Sequence, residues 1–244
     1  MEYFKTQIFF SKTFWNFFDT FYVKERLNWH TIAQPLEYLT ARACHMMNLD
    51  AIAKKTFTLW FTGLPCSGKT ILSETLSKEF QVAGFRSNQV DGDVLRKGIS
   101  QDLGYSKEDR CIQVYRATGL ASYFNQTGSI ALVSLVSPYR DHRAYARKQI
   151  PNFIEVYVRC PLNVCESRDT KGLYRLARTG KIEHFTGVSD PYEEPENCEI
   201  VVDTDRMDAR CCVDKMMDFL IRKNYLSNPD RKNIFSAYEF NQIR

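Results

Sequence analysis

Residues 63–70 limit the folds open to this chain more than any other segment. Their sequence, GLPCSGKT, fits the pattern G-x-x-x-x-G-K-[S/T] and lies between an apolar run at 57–62 and a helical pattern at Ile71–Phe80. A strand before such a loop and a helix after it are required, because backbone N–H groups and the helix N-terminus together surround a phosphate. The sequence therefore predicts a nucleotide-binding loop made of Gly63, Leu64, Pro65, Cys66, Ser67, Gly68, Lys69 and Thr70.

Two side chains of this loop carry chemistry. Lys69 is expected to bridge the β- and γ-phosphates of ATP, and Thr70 is expected to hold Mg²⁺. Motors, switches and kinases all share such a loop, so it predicts a nucleoside triphosphate but no particular reaction.

Apolar runs alternate with helical patterns through the rest of the chain. The runs predicted to be strands are 57–62, 87–90, 130–136, 153–158 and 200–202. Residues 130–136 are apolar on both faces, which is typical of a strand buried in a parallel sheet. The sequence thus predicts a three-layer α/β P-loop fold with a mostly parallel sheet. Residues 170–198 break the alternation and are expected to form a lid or binding loop.

The two ends of the chain differ from this central part. Residues 1–30 hold 11 of the chain's 33 aromatic side chains, and Phe14, Phe17, Phe18 and Phe21 recur at helical spacing. We expect a helical extension at 1–55, a P-loop domain at 56–225 and a polar tail at 226–244. The aromatic helix could lie on a membrane surface, or it could pack on its own domain or on a sister subunit. Because few lysines flank the helix, packing is favoured and no membrane partner is expected.

Composition excludes several classes of protein. The net charge of +4 is spread along the chain, which predicts no nucleic-acid partner. No run of 18 apolar residues and no cleavable leader pattern occur, so a cytoplasmic location is expected. The cysteines match no zinc spacing.

Charged residues follow the predicted strands at the edge where open α/β sheets bind ligands. Asp91 and Asp93 end the second strand; Asp93 could accept a hydroxyl proton or order the Mg²⁺ shell, and Asp91 could hold Arg96 or a ligand group. Arg96 and Arg110 could face one anionic pocket, since arginine suits phosphate and sulfate. Ser137 ends the third strand at the same edge, and Arg140 follows it.

Several blocks together resemble the adenylylsulfate kinase family, which phosphorylates the 3′-hydroxyl of adenosine 5′-phosphosulfate (APS) with ATP. They occur in the family's order along the chain and comprise GLPCSGKT at 63–70, DGDVLRKG at 91–98, DLGYSKEDR at 102–110, SPYR at 137–140, KGLY at 171–174 and FTGVSDPYEEPEN at 185–197.

The resemblance implies roles by position. Asp91, Arg96 and Arg110 are expected to bind the acceptor, and Tyr105 and Phe185 to sandwich its adenine. Lys171 is expected to bind the acceptor from the lid, and Arg140 is grouped with these residues. Ser137 matches the serine assigned in the family as a phosphoserine intermediate. Members are commonly homodimers, so a homodimer is expected.

The implied mechanism is in-line attack by the acceptor hydroxyl, which Asp93 orients or deprotonates, on ATP held by Lys69 and Mg²⁺. Some positions depart from the family. Cys66 replaces a glycine and must adopt a backbone conformation that glycine adopts freely, Gln113 and Tyr115 replace Asn and Arg, and His184 stands where a small residue is common. These departures leave two alternatives open, a kinase of another small acceptor and a non-catalytic ATP-binding scaffold.

Overall fold

The computed structural model describes residues 56–226. The helices expected in the 1–55 extension, and all but the first residue of the expected tail at 226–244, lie outside this range. Both therefore stay predictions. Within 56–226, no helix is long and apolar enough to cross a membrane.

Five strands form one fully parallel sheet. They are β1 (Thr58–Thr62), β2 (Ser87–Asp91), β3 (Ile130–Ser134), β4 (Phe153–Arg159) and β5 (Ile200–Asp203), in the order β2-β3-β1-β4-β5. The strand that leads into the nucleotide-binding loop is central, and Leu59 of β1 is in register with Leu132 of β3 and Ile154 of β4. All five predicted strands and the predicted fold class are confirmed.

Seven helices are described between residues 56 and 226. They are α1 (Lys69–Val82), α2 (Gly92–Lys97), α3 (Lys107–Gln126), α4 (Arg140–Gln149), α5 (Leu162–Ser167), α6 (Leu173–Arg178) and α7 (Ala209–Arg222). Side-chain caps begin three of them: Asp91 caps α2, Ser106 caps α3 and Asp208 caps α7, each accepting from a backbone N–H of the first turn. Such caps satisfy N–H groups that have no partner inside the helix.

Alternation along β1 divides the core between the two faces of the sheet. Leu59 and Phe61 share a buried cluster with α1 and α7, whereas Trp60 belongs to a cluster with α3 and α4. Full burial of each large apolar side chain contributes about 1.5–3 kcal/mol. Helices on both faces leave the carboxyl ends of the strands as the open edge of the sheet.

The predicted lid at 170–198 carries α6 and an isolated bridge between Thr186 and Asp190. A third apolar cluster lies beneath it and contains Tyr174 and Phe185. The Tyr174 hydroxyl donates to the carbonyl oxygen of Pro65 at 3.0 Å. This contact attaches the lid to the loop after β1.

Candidate active site

The loop after β1 is held tightly between β4 and β5. Gly63 has φ 154°, and a Cβ atom there would lie 2.4 Å from the carbonyl oxygen of Val158, so a larger residue does not fit. Gly68, with φ 101°, turns the chain into α1. The Thr204 hydroxyl, just beyond β5, donates to the carbonyl of Ser67 at 2.9 Å. Glycine therefore occupies two of the loop positions that have positive φ.

Cys66 adopts the glycine-like conformation expected of its position, with φ 61°. For a residue with a Cβ atom this costs about 1–2 kcal/mol. The side chain packs against the buried cluster that contains Cys165, and burial raises the pKa of the Cys66 thiol. The thiol is therefore neutral, and Cys66 has the positive φ that a glycine would adopt freely.

Lys69 is buried under the loop. Its ammonium donates to the carbonyls of Gly63 at 3.0 Å and Leu64 at 2.7 Å. Burial lowers the pKa of Lys69 to about 8 because desolvation disfavours the charged form. An anion bound in the loop would restore the stabilisation of that charge.

Thr70 and Asp91 are joined across the site. The Thr70 hydroxyl donates to Oδ2 of Asp91 at 2.8 Å, and Oδ1 of Asp91 accepts from the backbone N–H of Asp93 at 2.8 Å. The alternative in which Asp91 holds Arg96 is therefore not observed. Asp91 is instead the cap of α2, which turns its carboxylate toward the loop.

Asp93 faces the lid. Its Oδ2 accepts from the ammonium of Lys171 at 2.8 Å, and this carboxylate raises the pKa of Lys171. Both side chains are largely exposed, so the pair is weak and easily exchanged.

The donors fit Mg²⁺. Thr70, Asp91 and Asp93 offer hard oxygen atoms around one cavity. Among residues 56–226, no group of three or more His, Cys, Asp or Glu side chains could hold a metal ion by itself. That donor set suits an ion that keeps several waters and binds mainly to substrate phosphates.

Two arginines and a tyrosine form the wall opposite the loop. The guanidinium of Arg96 lies 4.1 Å from the ring centroid of Tyr105 and donates to the carbonyl of Gly104 at 2.7 Å. Arg110, only 8% exposed, donates to the carbonyls of Tyr105 at 3.0 Å and His184 at 2.7 Å. Burial and the nearby charge of Arg96 lower the pKa of Arg110. Two close cations favour an anionic ligand at this wall.

The aromatic pair expected around the adenine lines the same cavity. Phe185 is buried and packs edge-on against Tyr174 at a centroid distance of 4.9 Å, whereas Tyr105 is half exposed. His184 has φ 54°, and its carbonyl points to Arg110. The left-handed turn at His184 thus links the lid to the arginine wall.

Ser137 lines the cavity where the chain leaves β3. Its φ is 37°, its hydroxyl accepts from Nε1 of Trp60 at 3.1 Å, and its carbonyl accepts from Arg143 at 2.7 Å. The residue is 4% exposed, and the left-handed backbone costs about 1–2 kcal/mol. Contacts on both sides therefore maintain this turn.

Arg140 is not brought to the cavity. It begins α4, and its guanidinium donates to the carbonyl of Glu194 at 2.8 Å and pairs with Glu196 at 2.8 Å. The expectation that Arg140 binds the acceptor does not match this placement, because the acidic end of the lid holds its side chain.

One cavity of about 410 Å³ at the carboxyl edge of the sheet collects most of the predicted residues. It lies between the loop, the arginine wall and the lid, and its lining includes Pro65, Cys66, Lys69, Thr70, Asp91, Asp93, Arg96, Tyr105, Arg110, Ser137, Lys171 and Phe185.

Two further lining residues were given no role by the sequence reasoning. Oε1 of Gln113 and Oγ1 of Thr186 are buried and have no hydrogen-bond partner within 56–226. Gln113 lies three positions after Arg110 on α3, so helical spacing indicated its face, and Thr186 directly follows Phe185. Both atoms remain available for a ligand.

Comparison with known proteins gives consistent results. A sequence model of the family described as adenylylsulphate kinase matches residues 55–203. The adenylyl-sulfate kinase of Synechococcus sp. (strain JA-3-3Ab) is 46% identical over 175 residues, which cover 72% of this chain and 99% of that protein. The adenylyl-sulfate kinase of Halothermothrix orenii is 42% identical over 177 residues, covering 72% and 96%. Among solved structures, the Mycobacterium tuberculosis APS kinase CysC in complex with AMPPNP and APS is 38% identical, covers 68% of this chain and 98% of that one, and has a TM-score of 0.65.

Proposed function

The chain belongs to the adenylylsulphate kinase family, and on this premise we propose how its residues bind two substrates and transfer a phosphoryl group. It is an adenylyl-sulfate kinase, an ATP-dependent transferase that phosphorylates the 3′-hydroxyl of APS. The observation that carries the assignment of roles is the single cavity shared by the loop, the paired aspartates and the arginine wall.

The donor side is the loop at 63–70. Its backbone N–H groups and the N-terminus of α1 bind the ATP phosphates, and Lys69 moves its ammonium from the loop carbonyls to the β- and γ-phosphates. Thr70 and Asp93 are the proposed Mg²⁺ ligands, and Asp91, bonded to Thr70 at 2.8 Å, orients that hydroxyl. Mg²⁺, when bound, neutralises charge on the phosphates.

The acceptor side is the arginine wall with the lid. Arg96 and Arg110 bind the phosphosulfate, while Tyr105 and Phe185 offer ring faces to the adenine. Lys171, bonded to Asp93 at 2.8 Å, exchanges this partner for the acceptor when the lid closes. Closure excludes water that would otherwise hydrolyse ATP.

Asp93 is the proposed group that orients and deprotonates the 3′-hydroxyl for in-line attack on the γ-phosphorus. Ser137 acts as a fixed hydrogen-bonding group rather than a phosphorylated intermediate. Its hydroxyl is buried and already accepts from Trp60, and transfer between two positioned oxygens needs no covalent intermediate.

The test is purified protein with ATP, Mg²⁺ and APS, following ADP release and the 3′-phosphorylated product. We expect APS to stimulate ADP release strongly and adenosine 5′-phosphate, which lacks the sulfate, to stimulate it far less. The variant that tests the donor side is Lys69→Met, which should lower kcat/KM by about 10²–10³-fold while the fold stays intact. Equal turnover with both acceptors would refute the assigned arginine wall.

We also propose a location in the cytoplasm and, as the resemblance implies, a homodimer. Exposed apolar side chains on α3, namely Ile112, Tyr115 and Tyr123, support an interface between copies. Light scattering on the purified full chain tests the dimer, and a monomeric mass at assay concentration would refute it.

A further inference from the structure

Arg143 is a buried arginine that the roles assigned above do not use. It lies on α4 and is 3% exposed. Its Nε donates to Oε1 of Glu155 at 2.7 Å, one terminal nitrogen donates to the carbonyl of Ser137 at 2.7 Å, and the other donates to the carbonyl of Glu193 at 2.6 Å. One side chain thus connects β4, the turn after β3 and the end of the lid.

The first element that Arg143 holds is the turn at Ser137. This residue has a left-handed backbone, φ 37°, and lines the cavity. Residues with a Cβ atom keep such a conformation only where surrounding contacts impose it. Here the contacts are the bond from Arg143 to the Ser137 carbonyl and the bond from Trp60 to its hydroxyl.

The second element that Arg143 holds is the end of the lid. The N–H of Glu193 donates to the carbonyl of Pro138 at 2.8 Å, and the Tyr192 hydroxyl lies 2.9 Å from that of Thr62. The guanidinium of Arg143 is 5.8 Å from the Tyr192 ring centroid. The turn after β3 and the end of the lid therefore form one unit around Arg143.

A second arginine shares the same counter-charge without touching this unit. Arg147 donates to Oε2 of Glu155 at 3.1 Å and to Oε2 of Glu199 at 2.8 Å. Glu199 in turn accepts from the backbone N–H of Glu155 at 2.7 Å. Arg147 therefore takes part in the same charge network as Arg143 but makes none of the contacts to Ser137 or Glu193 described above.

We propose that Arg143 is a positioning residue for phosphoryl transfer, which fixes Ser137 and the lid segment around the acceptor. This inference rests on the proposed function of the cavity. A planar guanidinium holds N–H donors on three nitrogen atoms in a fixed fork, and an ammonium cannot reach three acceptors in that geometry. Displacing a positioned group by about 1 Å can lower a rate by about 10²-fold. Loss of Arg143 should therefore act on the acceptor side and spare the loop that binds ATP.

The experiment compares Arg143→Lys and Arg143→Met with the control Arg147→Met in the full chain. Both Arg143 variants should raise KM for APS and lower kcat, with kcat/KM for APS falling by about 10- to 100-fold. The dissociation constant of a non-hydrolysable ATP analogue should change by less than about twofold. Arg147→Met should change kcat/KM for APS and the dissociation constant of the ATP analogue by less than about threefold. Arg143→Lys keeps the positive charge, so it still tests the proposal if Arg143→Met does not fold.

A spectroscopic readout reports Ser137 without turnover. Trp15→Phe and Trp29→Phe leave Trp60 as the single tryptophan, and its indole N–H resonance senses the bond to Ser137. We expect this resonance to shift in both Arg143 variants and to stay in place in Arg147→Met.

Three results would overturn the proposal: unchanged KM for APS in both Arg143 variants, equal losses in Arg147→Met, or an unmoved Trp60 resonance. Absence of APS-dependent turnover in the unaltered chain would instead refute the proposed function. In that case the Trp60 resonance would still decide whether Arg143 holds Ser137.

Discussion

Replacing Gly63 by alanine tests the idea that the nucleotide-binding loop must lie directly against β4. The new Cβ atom would lie 2.4 Å from the carbonyl oxygen of Val158. The loop must retreat by at least about 0.6 Å to bring that contact to 3.0 Å. Overpacking of this kind costs about 1–3 kcal/mol, and the positive φ costs about 1–3 kcal/mol more.

The same displacement moves the groups that bind phosphate. A misplacement of about 1 Å can cost about 10²-fold in rate, so we expect kcat/KM to fall by about 10- to 100-fold, or about 1.4–2.7 kcal/mol. The observables are the urea-unfolding free energy from circular dichroism and kcat/KM from ADP release.

Gly128→Ala is the matched control. Gly128 also has positive φ, 78°, but a Cβ atom there would meet only Nη2 of Arg86 at 3.7 Å, an ordinary contact. Both variants reduce the entropy of the unfolded chain equally, so the difference between them reports the clash with Val158 together with the different φ of the two positions. We expect Gly128→Ala to lose about 1–2 kcal/mol and no activity. The reasoning fails if Gly63→Ala is as stable as Gly128→Ala and equally active.

Three further predictions use pH and ring stacking. Burial lowers the pKa of Lys69 to about 8, so raising the pH through that value should weaken ATP binding. Calorimetry should show that ATP binding takes up a proton in this pH range and that Lys69→Met abolishes the uptake. A constant affinity for ATP across that range would contradict the prediction. Burial also lowers the pKa of His142, so the unfolded chain binds that proton more strongly. The unfolding free energy should therefore fall as pH drops below about 6.5, and His142→Gln should flatten this slope in urea titrations; an equal slope in the variant would count against it. Tyr105→Ala should raise KM for APS about tenfold or more by loss of base stacking, while Tyr105→Phe should not. An equal rise in KM for ATP in steady-state kinetics would disprove the placement of Tyr105 on the acceptor side.

Local patterns predicted much of the fold and the identity of the site. The five strands were predicted because short apolar runs between helical patterns reflect burial on both faces of a parallel sheet. The loop was predicted because its spacing acts over a few residues, and the glycine-like conformation of Cys66 was expected because the resemblance places a glycine at that position.

Side-chain partners were less accessible to sequence reasoning. The pairing of Lys171 with Asp93 joins residues 78 positions apart, and the bond of Thr70 to Asp91 replaced the expected alternative of Asp91 with Arg96. Arg140 was grouped with the acceptor residues, but its guanidinium is held by the acidic end of the lid. Such choices depend on which groups the folded chain brings within reach.

The order of residues by itself determined the class of fold and the phosphate-binding loop, because these follow from periodicity and motifs over short stretches, and the kind of reaction followed from the resemblance of several motif blocks to the adenylylsulfate kinase family. Only the tertiary structure decided which charges meet, how the Ser137 turn is held and where Arg143 reaches. A buried guanidinium selects its three acceptors through distance and desolvation, and both exist only after the sheet and the helices have packed.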